Sequence, residues 1–225
     1  MTTIATPART GCDPALRGCP PSDLRFIVEL VETGATVLDL GCGGGELLAT
    51  LIRERGARGG GIELSEECIQ ACVARGLTNV VHGDLDEGLA DYPDKSVDYV
   101  ILTNTLQVLH RPLALLREMA PVGRRCIISI SNFAHWSARL QLALWGRMPR
   151  TPRLPYEWYN TPNIHLATLK DFRDLCRIAG LDILQEIALR SDGRGGVSLV
   201  RRWPNLIADG AIFVVSQAAL SDNGA

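Results

Sequence analysis

Short apolar runs alternate with longer amphipathic segments along most of this 225-residue chain. The short runs have the length of β-strands, and the segments between them repeat their apolar positions at helical spacing. The pattern predicts strands at residues 36–40, 60–64, 79–83, 97–103, 125–130, 181–189 and 211–216. It predicts helices at 24–31, 46–54, 113–119 and 169–179, with another helix capped by Ser65. This alternation is typical of an α/β fold with a doubly wound, mostly parallel seven-stranded sheet.

The alternation stops between residues 132 and 166, directly after the fifth predicted strand. This stretch is rich in proline, tryptophan, tyrosine and arginine. It follows a carboxyl end of the sheet, where ligands bind in α/β folds. We therefore predict an insertion that covers a pocket or docks a partner. One domain is expected over residues 22–217, with flexible tails at 1–21 and 218–225.

Composition narrows the range of functions. The net charge of −2 gives no electrostatic reason to expect nucleic-acid binding. No apolar run approaches the length of a membrane span, and the N-terminus lacks the basic and apolar parts of a secretory signal. The sequence therefore predicts a cytoplasmic protein without a membrane partner. Cys68 and Cys72 lie four residues apart, but no second pair matches that spacing, so no metal site is predicted.

Two acidic residues each end an apolar run, 24 residues apart. The first, Asp39, leads into a turn in which Gly41, Gly43 and Gly45 occupy alternate positions, and the second is Glu63. Glycine lets the backbone approach a ligand closely and allows positive φ. A carboxylate at the end of the second strand can accept hydrogen bonds from both hydroxyls of a ribose. We interpret the pattern as an adenosine-cofactor site, with a purely structural strand–helix turn as the alternative.

The residue after the glycines distinguishes this pattern from a dinucleotide site. The G-x-G-x-x-G motif needs a small residue where this chain has Glu46. A dinucleotide also places its pyrophosphate at the helix N-terminus, where acidic side chains would oppose an anion. Asp39 and Glu46 instead suit a ligand with a positive end, such as S-adenosylmethionine with its sulfonium and ammonium groups. An NAD-binding oxidoreductase is thereby disfavoured.

Several longer motifs accompany the glycine turn. They include Gly83-Asp84, residues 98–102, the run SNFAHW at 131–136, the run LPYEWYNTPNIH at 154–165 and the run WPNL at 203–206. With residues 37–45 and Glu63, these motifs resemble the class I S-adenosylmethionine-dependent methyltransferases and, within them, the MetW family of methionine-biosynthesis proteins. The family resemblance implies a role beside homoserine O-acyltransferase, the enzyme that activates homoserine for methionine synthesis.

The resemblance also implies a set of cofactor contacts. Asp39 should face the methionine ammonium, Glu63 should hold the ribose hydroxyls, and Asp84 should accept from the adenine amino group. A loop cap is the alternative role for Asp84. Asn104 should line the methionine end, with a solvated loop as the alternative. The residues expected to contact S-adenosylmethionine or S-adenosylhomocysteine are Asp39, Gly41, Cys42, Gly43, Glu63, Leu64, Asp84, Leu85, Thr103 and Gln107.

A methyltransferase would also need a positioned acceptor and often a base near it. His135, Tyr156 and His165 are the candidates, although each also fits a structural or partner-contact role. Residues 103–106 read Thr-Asn-Thr-Leu rather than the Asn-Pro-Pro-Tyr type of motif. This difference argues against methylation of amino groups on bases.

Two functions remain. The first is a regulatory S-adenosylmethionine-binding protein that binds and activates homoserine O-acyltransferase, with the insertion supplying the tyrosine, tryptophan and arginine types that dominate binding hot spots. The alternative is an active small-molecule methyltransferase that uses residues 132–166 as a substrate lid. The sequence leaves open the methyl acceptor, the acetyl or succinyl specificity of the partner, and the oligomeric state, a homo-oligomer included.

Overall fold

A single mixed sheet organises the computed structural model, which describes residues 21–192 and 196–218. Its strands are β1 (Thr36–Leu40), β2 (Arg58–Glu63), β3 (Val80–His82), β4 (Val97–Thr103), β5 (Gly123–Ser131), β6 (Leu181–Ser191), β7 (Val197–Leu199) and β8 (Gly210–Gln217). They lie in the order β3-β2-β1-β4-β5-β8-β6-β7. The pairs among β1 to β5 are parallel, whereas β8 runs antiparallel to β5 and β6, and β7 runs antiparallel to β6.

Helices cover both faces of this sheet. They are α1 (Pro21–Leu30), α2 (Glu46–Arg55), α3 (Glu66–Ala74), α4 (Pro112–Val122), α5 (Trp136–Trp145), α6 (Leu169–Ala179) and α7 (Pro204–Ile207), with a 3₁₀ turn at Leu106–Val108. Thr168 and Asp171 form a capping box at the start of α6, and Gly180 ends that helix at φ +76°. No helix in the described ranges is long and apolar enough to cross a bilayer.

The apolar core is split between the two faces of the sheet, as expected for a doubly wound fold. In β4, Tyr99 and Ile101 belong to a buried cluster with side chains of α1 and α2. Val100 and Leu102 alternate with them and belong to a second cluster with side chains of α4 and α6. Because successive side chains of a strand point to opposite faces, one apolar run supplies both clusters.

In the described ranges the sheet has eight strands rather than the seven predicted. The additional strand, β7, is three residues long and pairs with β6 at the edge of the sheet. A strand this short carries too few positions for a periodic signal. Helices α5 and α7 were not predicted either. Helix α1 begins at Pro21, the last residue of the predicted N-terminal tail, and residues 1–20 and 219–225 lie outside the described part.

Strand β2 begins two residues earlier than predicted because its glycines conceal it. Glycine is depleted in strands, so the run at 58–61 reads weakly as one. A Cβ on Gly59 would lie 1.8 Å from the carbonyl oxygen of Val37, and a Cβ on Gly60 would lie 2.0 Å from that of Asn79. The glycines therefore allow the backbones on either side of β2 to approach closely.

Arg153 ties the irregular segment after α5 to the rest of the domain. Its side chain is only 7% exposed. Nη2 donates to Oδ1 of Asp23 in α1 at 2.5 Å, and Nε donates to Oδ1 of Asp209 at 2.9 Å. Asp209 lies just before β8 and also accepts from the Ser191 N–H at 2.7 Å. One guanidinium thus joins this segment to the first helix and to the β6–β8 end of the sheet.

We predict that Arg153→Ala lowers the free energy of unfolding by about 3–5 kcal/mol, because the change leaves Asp23 and Asp209 as buried carboxylates without their cation. Urea denaturation measures the loss. Arg25→Ala is the control, since Arg25 pairs with Glu29 on the surface and its removal should cost less than about 1 kcal/mol. Similar losses in the two variants would contradict this account of Arg153.

Candidate cofactor site

The turn between β1 and α2 has the conformation that its glycines suggested. Gly41, Gly43 and Gly45 have φ values of +68°, +57° and +79°. A Cβ on Gly41 would lie 2.7 Å from Oγ1 of Thr105, and one on Gly45 would lie 2.4 Å from Cδ1 of Leu77. A residue with a side chain at either position would be strained and would collide with its neighbours.

Glu63 holds this turn against the start of α3. The side chain ends β2 and is 3% exposed. Its Oε2 accepts from the Gly43 N–H at 2.9 Å, and its Oε1 accepts from the Ser65 N–H at 2.8 Å. A carboxylate oxygen has two lone pairs, so each can accept more than one hydrogen bond. The carboxylate is therefore fixed in orientation before any ligand arrives.

Asp39 is a second buried carboxylate beside Glu63. It lies in β1, paired with Gly61 of β2, and is 1% exposed. Burial, together with the smaller effect of the negative charge of Glu63, raises the pKa of Asp39 to about 7. A ligand that brings a positive charge next to Asp39 would oppose both effects and lower the pKa of this carboxyl.

Buried oxygen atoms without a hydrogen-bond partner gather at the carboxyl ends of the central strands. In the described part of the chain they are Asp39 Oδ1, Thr103 Oγ1, Asn104 Oδ1 and Ser129 Oγ. Asn104 also has φ +53°, a conformation that is rare outside glycine. Buried polar atoms are nearly always hydrogen-bonded, so these atoms are available to a polar ligand or to ordered water. Because these oxygens can accept hydrogen bonds from an ammonium group or from hydroxyls, they fit the cofactor expected from the sequence.

A cavity of about 330 Å³ opens at this edge of the sheet. Its volume lies within the range of small-molecule sites. Six of the residues predicted to lie at the cofactor line it: Gly41, Glu63, Leu64, Asp84, Leu85 and Asn104. The structure thus brings the ends of β1 and β2 and the segment after β3 into one wall.

The other five predicted contacts lie outside this lining: Asp39, Cys42, Gly43, Thr103 and Gln107. All of them are buried. Gln107 has its amide engaged, because Nε2 donates to Ser131 O at 3.2 Å and Oε1 accepts from the Ser131 N–H at 3.1 Å. The Gln107 amide is thus committed to Ser131, whereas Asp39 and Thr103 each keep a buried oxygen without a hydrogen-bond partner.

Other lining residues were not anticipated. Thr105, Val108 and His110 come from the segment after β4, and Pro162 comes from the irregular segment after α5. Asp86 lines the cavity and fixes this arrangement, since its carboxylate accepts from the N–H of His110 at 3.1 Å and of Arg111 at 2.8 Å. The sequence signal for them was only their place after strands at the ligand-binding edge.

Asp84 has the loop-capping contact that was considered as its alternative role. Its Oδ1 accepts from the Asp86 N–H at 2.9 Å. The carboxylate also lines the cavity. The cap orients the side chain in the wall, so the two roles are compatible.

The three candidate catalytic residues lie away from this cavity lining. His135 caps α5, with Nδ1 accepting from the Ser137 N–H at 3.4 Å, and burial lowers the pKa of its imidazole. Tyr156 lines a separate cavity of about 40 Å³. His165 is exposed, and its backbone N–H donates to Gln107 O at 3.0 Å. Across the described ranges, no group of three or more His, Cys, Asp or Glu residues is placed to hold a metal ion.

Known proteins resemble this chain in sequence. The family described as "Methionine biosynthesis protein MetW" matches residues 21–215. The bifunctional methionine biosynthesis protein MetXA/MetW of Rhodopirellula baltica is 38% identical over 209 residues, which cover 86% of this chain and 33% of that protein. This chain therefore spans about a third of that relative's length.

Solved structures resemble it in fold. A chain of the Haloferax volcanii complex that contains the methyltransferase activator Trm112 has a TM-score of 0.63 at 20% identity, covering 87% of this chain and 88% of that one. A methyltransferase from Thermotoga maritima, dependent on S-adenosylmethionine, has a TM-score of 0.63 at 17% identity, covering 87% of each chain. The predicted Rossmann-like α/β class is confirmed, with an antiparallel end to the sheet.

The raised pKa of Asp39 predicts a particular pH dependence of stability. The folded state holds a proton on this carboxyl up to about pH 7, whereas the unfolded state releases it near 3.8. The contribution of Asp39 to the free energy of unfolding therefore falls as pH rises between these values, by about 2–3 kcal/mol from pH 5 to pH 8. Asp39→Asn should lack this fall. Urea denaturation of both proteins at the two pH values measures it, and parallel pH profiles would contradict the prediction.

Proposed function

This chain belongs to the MetW family of methionine biosynthesis proteins, and we propose that it binds S-adenosylmethionine and thereby regulates homoserine O-acyltransferase. The regulatory part of this proposal is carried by the Rhodopirellula baltica relative, in which MetXA and MetW form one bifunctional protein. We take MetXA to be the acyltransferase. Fusion raises the effective concentration of one module at the other, which is useful where the two act together. We assign this role to amino-acid synthesis and place it in the cytoplasm.

The cofactor half of the proposal rests on the two carboxylates and the glycine turn. Glu63 would accept the ribose hydroxyls with the oxygens that already hold Gly43 and Ser65. Asp39 would lose its proton and meet the ammonium, directly or through water. Leu64 is half exposed on the cavity wall and would pack on the adenine. When bound, the cofactor would supply a positive charge and an activated methyl group.

The arrangement favours a regulatory role over methyl transfer. The side chains considered as bases are committed elsewhere: His135 caps a helix and Tyr156 lines a separate cavity. His110 does line the cofactor cavity, but it is exposed. A fold does not imply an activity, and a general base needs to be within hydrogen-bond reach of the proton that it removes.

The cavity is connected to the irregular segment after α5. Pro162 lines the cavity, and the carbonyl of Gln107 accepts from the N–H groups of Ile164 and His165 at 3.0 Å each. The Gln107 side chain holds Ser131 at the end of β5. A ligand that shifts the conformation of the segment after β4 would therefore also shift the conformation of residues 162–165. If a partner touches that segment, its affinity and that of the cofactor are linked reciprocally.

The cofactor half predicts a loss of affinity in Glu63 variants. Glu63→Gln and Glu63→Ala should weaken S-adenosylmethionine binding by about 10- to 150-fold, the value of one charge-assisted hydrogen bond. Isothermal titration calorimetry measures this change. Glu54→Ala removes an exposed glutamate of α2 and should bind like the wild type. Unchanged dissociation constants in folded Glu63 variants would exclude Glu63 as the ribose ligand.

The regulatory half predicts a saturable change in acyltransferase rate. Titrating this protein into the homoserine O-acyltransferase of the same organism should raise the rate to a plateau. S-adenosylmethionine should shift the midpoint of that titration, because its affinity and that of the partner are linked. A flat titration with both proteins folded would contradict the proposal. Release of S-adenosylhomocysteine in the same mixtures would favour the methyltransferase alternative.

A further inference from the structure

Helix α5 exposes apolar side chains around most of its circumference. Of its ten residues, only Ala138 is buried. Trp136 and Leu140 are each 43% exposed, Trp145 is 65% exposed and Leu144 is 66% exposed. A helix that is apolar all round is normally buried on all sides. Within the described part of the chain, α5 is therefore an apolar helix that the domain covers on one side only.

A groove of about 1030 Å³ runs beside the C-terminal end of this helix. Its apolar lining comes from Trp145, Met148 and Trp158. Trp158 packs edge-on against Tyr159, with ring centroids 5.7 Å apart, and the two rings are 71% and 70% exposed. The groove and α5 form one surface, which we call the aromatic face.

The aromatic face exposes a large apolar area, and the largest apolar patch of a protein is often functional. A large aromatic side chain carries about 150–250 Å². Trp145, Trp158 and Tyr159 alone therefore expose about 400 Å² at their fractions of 65%, 71% and 70%. Leu144 and Met148 extend the patch toward the roughly 800 Å² that each partner contributes to a stable complex. The largest apolar patch of a typical monomer is about 300–600 Å², so the three rings alone reach that range.

The charges of the groove favour a different protein over a second copy. Arg150 is paired with Glu157 at 2.6 Å, so the groove's unbalanced charge is that of Arg147. A symmetric dimer would place two copies of this net positive patch in one interface. A partner with an apolar segment and a carboxylate at this point would match both the aromatic rings and the cation.

We propose that the aromatic face is the docking surface for homoserine O-acyltransferase, an inference that rests on the proposed function. The fused relative joins one MetW module to one MetXA module. The segment that carries Trp158 and Tyr159 continues to Pro162 in the cofactor cavity wall. A partner docked here would therefore contact the segment whose conformation responds to the bound cofactor. Anchoring by two large aromatics in a groove with an arginine is typical of binding hot spots.

The test compares the full-length wild type with Trp145→Ala, Trp158→Ala and Arg147→Glu in binding to the acyltransferase, measured by calorimetry. Each tryptophan variant should bind about 30-fold more weakly, as hot-spot residues do, and Arg147→Glu should also weaken binding. The matched control is Trp203→Ala, which removes a tryptophan that is 75% exposed and outside the groove. Its dissociation constant for the acyltransferase should lie within about threefold of the wild-type value. Far-UV circular dichroism of every variant verifies that it is folded.

The outcomes separate this inference from the proposed function. If the wild type does not bind the acyltransferase, the proposed function fails and the docking surface with it. If the wild type binds and the tryptophan variants bind equally well, the docking surface is overturned while the proposed function stands. If the variants lose only self-association, measured by analytical ultracentrifugation, the aromatic face belongs to a second copy and the inference is overturned.

Discussion

The candidate site depends on keeping two carboxylates, Asp39 and Glu63, buried at the ends of adjacent strands. Glu63 is stabilised there because the backbone N–H groups of Gly43 and Ser65 donate to it. Asp39 leaves one oxygen without a partner, and its raised pKa reflects the cost of charging it there. The domain thus holds an unsatisfied acidic site in a well-packed core. Such a site is costly in the free protein and favourable toward a cationic ligand.

Polar groups attach the segment after β5 to the domain at two points. Near its middle, Arg153 is clamped by Asp23 and Asp209, and at its far end the Gln107 carbonyl holds Ile164 and His165. Between these anchors lie the exposed Trp158 and Tyr159. An irregular segment positioned in this way can present a fixed surface to a partner and still respond to the cavity that Pro162 lines.

The same fold can catalyse, bind or regulate, so function has to be argued from the site. Here the preorganised groups belong to the cofactor side of the cavity, and the candidate bases His135 and Tyr156 serve other contacts. Among the described residues, many of the exposed large apolar side chains lie outside the cavity, on α5 and the groove beside it. This separation of a ligand pocket from an uncovered aromatic surface is the arrangement expected of a protein that senses one molecule and acts on another.

Local sequence was sufficient for the glycine turn, the acids that end β1 and β2, and the alternating core of β4, because each depends on a few neighbouring residues. Glycines at alternate positions require positive φ, and apolar runs require burial, wherever the chain places them. Long-range pairing was needed for the rest. Gln107 reads as a loop residue until Ser131 is brought to its amide, and Pro162 joins the cavity only when its segment folds back on β4. Contacts between residues distant in the chain leave no periodic mark on the sequence, so they emerge only when the chain is folded.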